Sequence, residues 1–155
     1  MTPSSARVLD GIDGVRAAIG QHLGHSSWHT IEQDRIDAFA EATGDHQWIH
    51  VDRERAAAGP FGAPIAHGFL TLSLVPMLLN EIFAVDGVSM SINYGANRVR
   101  FPAPVPVGSR VRAGAEIIDL VPTDAGHQLV VRVTIDRFGS EKPVCVVDAV
   151  SLLVA

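Results

Sequence analysis

Hydrophobic positions along this chain change period once, near Gly87. Before it they recur at helical spacing; after it they alternate. Ile12, Val15, Ala18 and Ile19 predict one face of a short amphipathic helix over 10–19, punctuated by Gly20 and Gly24. Ser26–Ile31 reads as a short strand. Ile36, Phe39 and Ala40 predict a second helix over about 33–42, with Thr30 or Glu32 at its acidic start and Gly44 at its end. The run that opens at Ile65-Ala66-His67-Gly68-Phe69-Leu70 and continues to Leu79 is apolar on almost every side. A helix of that kind belongs inside the fold, because no face of it suits water. Pro76 within it predicts a bend or a locally unpaired turn.

Alternation governs the second half. Val88–Tyr94 and Asn97–Phe101 alternate strictly, and Ser109–Ile118, Leu129–Ile135 and Pro143–Val154 read as three further strands. Turn signals separate them: Pro102-Ala103-Pro104 with Val107-Gly108, Thr123-Asp124-Ala125-Gly126, and Gly139-Ser140. Long strands joined by short turns imply an antiparallel meander whose apolar face needs a cover. The helix after His67 is the obvious one. The fold class is therefore α+β, and an antiparallel sheet curled around one long central helix is the hotdog arrangement. Packing physics alone also allows other α+β folds.

Composition narrows the function classes. At 155 residues the chain suits one domain over 1–155, preceded by a loose tail over 1–5. Phe69–Leu79 is too short to span a bilayer, which needs roughly 20 apolar residues. Asp10 and Asp13 fall where a signal peptide would carry its apolar core. One cysteine, Cys145, forms no internal disulfide and sits among apolar neighbours as a small core residue. The net charge of −5 argues against nucleic acid as a partner. A cytoplasmic protein that uses neither membrane nor nucleic acid is the expectation.

The candidate chemistry lies between residues 43 and 79. Thr43-Gly44-Asp45-His46-Gln47-Trp48-Ile49-His50 puts a carboxylate and an imidazole five positions apart in a polar loop, followed by an Ala/Gly/Pro linker over 56–64. Taken alone, Asp45 reads as a turn or cap residue and His50 as a partly buried structural histidine. His46 and His50 have the spacing of a helical zinc pair, but the glutamate of H-E-x-x-H is missing and a glycine precedes them. No metal is expected. Arg98 and Arg100 share one strand face, as do Arg110 and Arg112; a solvated face is the plainer reading, although Arg forks suit phosphates. There is neither a Gly-rich phosphate loop nor a G-x-S-x-G elbow.

The stretch Phe39-Ala40-Glu41-Ala42-Thr43-Gly44-Asp45-His46-Gln47-Trp48-Ile49-His50-Val51-Asp52, with Ile65-Ala66-His67-Gly68-Phe69, resembles the MaoC-like (R)-specific enoyl-CoA hydratases. It is most similar to their small single-hotdog, NodN-like branch. The likeness continues through Ile92-Asn93-Tyr94-Gly95 and Val99 to Ser109, so it covers the chain from about Trp28 onward. Two departures stand out. Gln47-Trp48 replaces the family's usual Asn-Pro, and the Ser that some bacterial relatives carry on the central helix falls here at Pro76. Ser73 is a weak candidate to replace it.

The resemblance implies syn addition of water to trans-2-enoyl thioesters to give (3R)-hydroxyacyl thioesters, or the reverse dehydration. Asp45 and His50 would bind the reacting water, Asp45 as general base, and the Gly68 N–H would hold the thioester oxygen. His67 is expected to hydrogen-bond the loop from the helix start. Gln47, Ala66 and His67 would border the substrate, and Arg98 and Arg100 would meet coenzyme A phosphates. No cofactor is expected, since the substrate itself carries coenzyme A or an acyl carrier protein. Family members pair two hotdogs, so a homodimer is expected. The alternatives are a hotdog acyl-CoA thioesterase and a non-catalytic thioester-binding partner subunit.

Overall fold

The structure, a computed structural model, describes residues 5–155. Most of the tail expected over 1–5 therefore lies outside the described residues. The chain begins with a three-residue strand, β1 (Arg7–Leu9), and the first predicted helix follows as α1 (Gly11–Ala17). Val15 and Ala18 of the predicted stripe are buried, whereas Ile19 lies past the helix end and is exposed. Two short strands come next, β2 (His22–His25) and β3 (His29–Thr30). The expected strand over 26–31 is thus shortened at both ends to His29–Thr30, and β2 had no alternation to reveal it. The second helix, α2 (Gln33–Thr43), closes on Gly44 in the left-handed region at φ 81°. Its N-cap, Glu32, makes no side-chain cap bond.

The region read as loop and linker is partly helical. Two short turns, α3 (Trp48–Val51) and α4 (Arg53–Ala57), follow the Asp45 loop. The Asp52 side chain caps α4 by accepting from the Arg55 N–H at 3.0 Å. Trp48 anchors the pair. Its ring lies where a Cβ on Gly59 would come within 3.0 Å, and the Arg55 guanidinium sits 4.3 Å from its centroid.

The central helix divides into α5 (Gly68–Ser73) and α6 (Val75–Asn80), which meet at Leu74. Pro76 accounts for the break, because it has no N–H to return to the preceding turn. Leu70, Thr71, Leu74, Val75 and Leu78 are buried. Phe69, Ser73, Pro76 and Asn80 are exposed and lie along one stripe. That stripe corrects the expectation of a helix enclosed on every side.

A short strand, β4 (Phe83–Val85), pairs in parallel with β1. The long strands are β5 (Met90–Arg100), β6 (Arg110–Thr123), β7 (Gly126–Arg137) and β8 (Cys145–Val154). The two alternating runs on either side of Gly95 are one strand, β5, interrupted by bulges at Asn93/Gly95 and Asn97/Arg100. The sheet order is β2-β6-β7-β8-β5, with β3 also on β6. So the meander covers only β6, β7 and β8. β5 crosses over to the far edge, because residues 101–109 form a Pro-rich loop and not a hairpin turn.

Val111, Ala113, Ala115 and Ile117 of β6 point inward, as do Leu129, Val131, Val133 and Ile135 of β7. α6 packs on β6 and α5 on β8, so the sheet wraps the broken helix. The alanines let α6 come close to the sheet. Each fully buried Leu, Ile or Val contributes about 1.5–3 kcal/mol to this packing. Cys145 is wholly buried in it, and burial pushes its thiol pKa up to about 11.

Candidate active site

One residue gathers the site. Ile65 donates its N–H to the Ile49 carbonyl at 3.0 Å and accepts from His50 Nδ1 at 2.7 Å. On its other side it bridges Pro106, flanked by bonds from the Ala66 N–H to the Val105 carbonyl and from the Val107 N–H to the Pro64 carbonyl, both 2.8 Å. The segment leading into α5 is therefore held between the His50 turn and the 102–108 loop. This is why residues far apart in sequence face one cavity of about 390 Å³, lined by His50, Ile65, Ala66, Gly68, Phe101 and Val105 among others.

His50 is buried on α3. Because Nδ1 faces the Ile65 carbonyl, the neutral ring carries its proton there and leaves the Nε2 lone pair as an acceptor. Burial pushes its pKa below the ordinary imidazole value. The bond to Ile65 opposes that push, His67 adds to it, and the Asp45 carboxylate opposes it. Gln33 fixes the backbone beneath by donating from Nε2 to the His50 carbonyl at 2.8 Å.

Asp45 sits on the loop after α2 and is exposed. Its Oδ1 accepts from the Gln47 backbone N–H at 3.3 Å, so the turn role of Asp45 and its nearness to His50 coexist. Gln47 contributes here through its main chain. His67 Nε2 donates to the Asp45 carbonyl at 2.9 Å, as expected of a residue at the helix start.

Asp45, His50 and His67 each bring one ligating atom within 4.8 Å of the others. The two imidazoles are stacked, with centroids 3.8 Å apart and planes at 24°. Their in-plane lone pairs run side by side and do not converge. A cation about 2.0–2.1 Å from both nitrogens would lie well out of both ring planes. The arrangement suits a held water better than a metal ion.

Gly68 is the first residue of α5, and its N–H has no hydrogen-bond partner among the described residues. The absent side chain matters in a second way. A Cβ there would lie 2.9 Å from two carbons of the Phe101 ring, which covers this end of the cavity.

Of the predicted residues, Asp45, His50, Gly68, Ala66 and His67 come together, and Gln47 joins through its backbone. Arg98 and Arg100 do not line this cavity. Arg98 occupies a bulge at φ 55°, which disrupts the shared strand face, and Arg100 donates to the Val99 carbonyl at 2.7 Å. Gln33, Ile65 and Phe101 are contributors that sequence reasoning missed. Only Gln33 carried a signal, as a polar residue on the buried Gln33–Ile36–Ala40 stripe of α2.

Comparison with known proteins fits this picture. A family model described as MaoC like domain matches residues 15–139. The chain is 51% identical over 150 residues to 3-hydroxyacyl-thioester dehydratase Z of Mycobacterium tuberculosis strain H37Rv, covering 96% of this chain and 99% of that one. It is 55% identical over 100 residues to Nodulation protein N of Rhizobium leguminosarum bv. viciae, covering 63% and 62% respectively. The solved structure of the (R)-hydratase from A. caviae involved in PHA biosynthesis superposes with a TM-score of 0.71 at 28% identity, over 87% of this chain and 96% of that one. Among the described residues no helix is long and apolar enough to cross a membrane.

Proposed function

The chain belongs to the MaoC-like dehydratase family, and on that premise we propose that it interconverts (3R)-hydroxyacyl and trans-2-enoyl thioesters by syn addition or loss of water. The observation that carries this reading is that His50, with the Asp45 carboxylate beside it, and Gly68, with its N–H free among the described residues, line one cavity. A water between Asp45 and His50 would donate one O–H to the carboxylate and the other to His50 Nε2, leaving an oxygen lone pair for C3. As that oxygen bonds to C3, Asp45 takes its proton and the C2–C3 π electrons move toward the thioester oxygen. The Gly68 N–H donates to this developing enolate oxygen. The enolate then collapses, the thioester carbonyl re-forms, and the proton held by Asp45 goes to C2 on the same face. Dehydration is the reverse.

The substrate is an acyl thioester of coenzyme A or of acyl carrier protein, and the proposed setting is the cytoplasm. The working form is proposed to be a homodimer. Support comes from β5, an edge strand exposed over nearly its whole length with Met90, Ile92 and Tyr94 on one face. Beside it runs the open Phe69–Ser73–Pro76–Asn80 stripe. A long apolar edge of this kind is normally paired or covered.

The test is the loss of enoyl absorbance with crotonyl-CoA and longer trans-2-enoyl-CoAs. Asp45→Asn keeps shape but removes the base, so kcat should fall about 10²–10⁴-fold with an unchanged melting temperature. His50→Gln should act likewise, and the double variant should lose much less than the product of the two, since both groups hold one water. Undiminished turnover in Asp45→Asn would place the chemistry elsewhere. Release of free thiol instead of hydration would establish a thioesterase, and binding without turnover at any chain length would establish a non-catalytic subunit.

A further inference from the structure

His67 has no part in the water-addition step described above, yet it is more enclosed than either member of the Asp45–His50 pair. It is 2% exposed, against 6% for His50, and Asp45 is exposed. One face of its ring lies on His50 at 3.8 Å and the ring also meets Phe39 at 4.9 Å. Its Nε2 is held by the Asp45 carbonyl at 2.9 Å. One side chain therefore touches both the backbone of the carboxylate's loop and the plane of the imidazole.

We infer that His67 is a positioning residue for the reaction, a clamp that sets the Asp45 loop and the His50 ring relative to one another. This rests on the hydratase reading above. The loop carrying Asp45 is exposed, and among the described residues Asp45 is held by two long contacts, from its N–H to Thr43 Oγ1 at 3.5 Å and from the Gln47 N–H to its Oδ1 at 3.3 Å, and by this shorter bond. Without it, the carboxylate has little to keep it opposite His50.

His67 Nδ1 is buried and has no partner among the described residues, so the hydrogen bond of its ring is the one to the Asp45 loop. The titratable groups that act on His50 are His67, which pushes its pKa down, and Asp45, which pushes it up, after the larger effects of burial and the Ile65 bond.

Two substitutions separate the two contacts. His67→Phe keeps a ring against His50 and Phe39 but has no N–H for Asp45. His67→Gln keeps an N–H near the Nε2 position but loses the ring. Misplacement by about 1 Å can cost roughly 10²-fold in rate, so each should lose about 10–10²-fold in kcat with KM changed less than about threefold. In His67→Gln the acid limb of the rate profile should also move to higher pH, because His50 loses the ring that covers it and burial is the largest cause of its lowered pKa. A residue that merely fills space would give wild-type kcat in His67→Phe at a wild-type melting temperature. That result, or an unmoved limb and full kcat in His67→Gln, would overturn the inference. The hydratase reading fails separately: it falls if the wild type is inactive or Asp45→Asn is fully active. If instead the wild type turns over, Asp45→Asn does not, and both His67 variants are unaffected, only the clamp is wrong.

Discussion

Gly68→Ala asks whether the start of the central helix takes part in the chemistry or only in the packing. The added Cβ would stand 2.9 Å from two atoms of the Phe101 ring and 3.1 Å from a third. Real Cβ contacts essentially never fall below 3.0 Å, so the ring must move. Phe101 is 41% exposed, and an exposed ring on the rim of a cavity yields more easily than a core side chain. Displacement should cost no more than about 1 kcal/mol, the scale of an off-rotamer side chain. The lost flexibility of the unfolded chain returns about 0.4–1 kcal/mol, since Gly68 has no left-handed backbone that Ala would resist. The two effects nearly cancel. At about 2–4 °C per kcal/mol for a chain of this size, the melting temperature should move by less than about 4 °C. Activity should not cancel in the same way. The methyl and the displaced ring crowd the approach to the Gly68 N–H, and loss of one such donor costs about 2.7–4 kcal/mol, or 10²–10³ in kcat. Enoyl absorbance with crotonyl-CoA gives the rate, and circular dichroism gives the melt. Full kcat at an unchanged melting temperature would refute the donor role. Equal losses of both would make Gly68 a packing residue.

Three further outcomes can be checked directly. Cys145, with its thiol pKa near 11 and no exposure, should react with a thiol reagent at neutral pH only after unfolding; fast labelling of the native protein would contradict its core position. Because the folded state holds the pKa of His50 below the ordinary value of about 6.5, the unfolded chain binds more protons between the two values. Its contribution to stability is therefore complete above about pH 6.5 and lost as pH falls toward the lowered value, a loss that His50→Gln should not show in parallel melts. Light scattering at micromolar concentration should give about twice the 16.5 kDa chain mass, and Tyr94→Glu on the β5 edge should shift it toward one chain; an active wild-type monomer would end the dimer reading.

The sequence revealed the site unevenly. Asp45, His50 and Gly68 were legible because they sit in short stretches whose spacing carries the resemblance. The main-chain partner of His50 was not, since nothing local marks Ile65 as the acceptor for a ring fifteen positions earlier. The turns α3 and α4 were missed because four or five residues cannot form a stable helix from propensity alone. They are fixed by Trp48 on Gly59 and by the Ile49–Ile65 bond. Alternation marked β5 as a strand but could not name its neighbour, and the Pro-rich loop after it sends it to β8 instead of β6. The bulge at Arg98 explains why a shared face for Arg98 and Arg100 failed: counting by two assumes an unbroken pleat.

The paired bonds of Ile65 to Ile49 and His50 tie off residues 51–64 at a neck. The bonds that orient His50 and launch α5 lie at that neck or outside it, apart from the Val107 N–H to the Pro64 carbonyl just within it. Phe61 lies in the excursion beyond it, yet reaches back to the cavity wall. Lengthening such an excursion is cheap, about 0.6 kcal/mol for each doubling. The tip can therefore change, and with it the cavity wall at Phe61, while His50 and Gly68 keep their places. Under the proposed function, grafting a different 58–63 segment is the direct way to change which thioester fits while leaving those two positions alone.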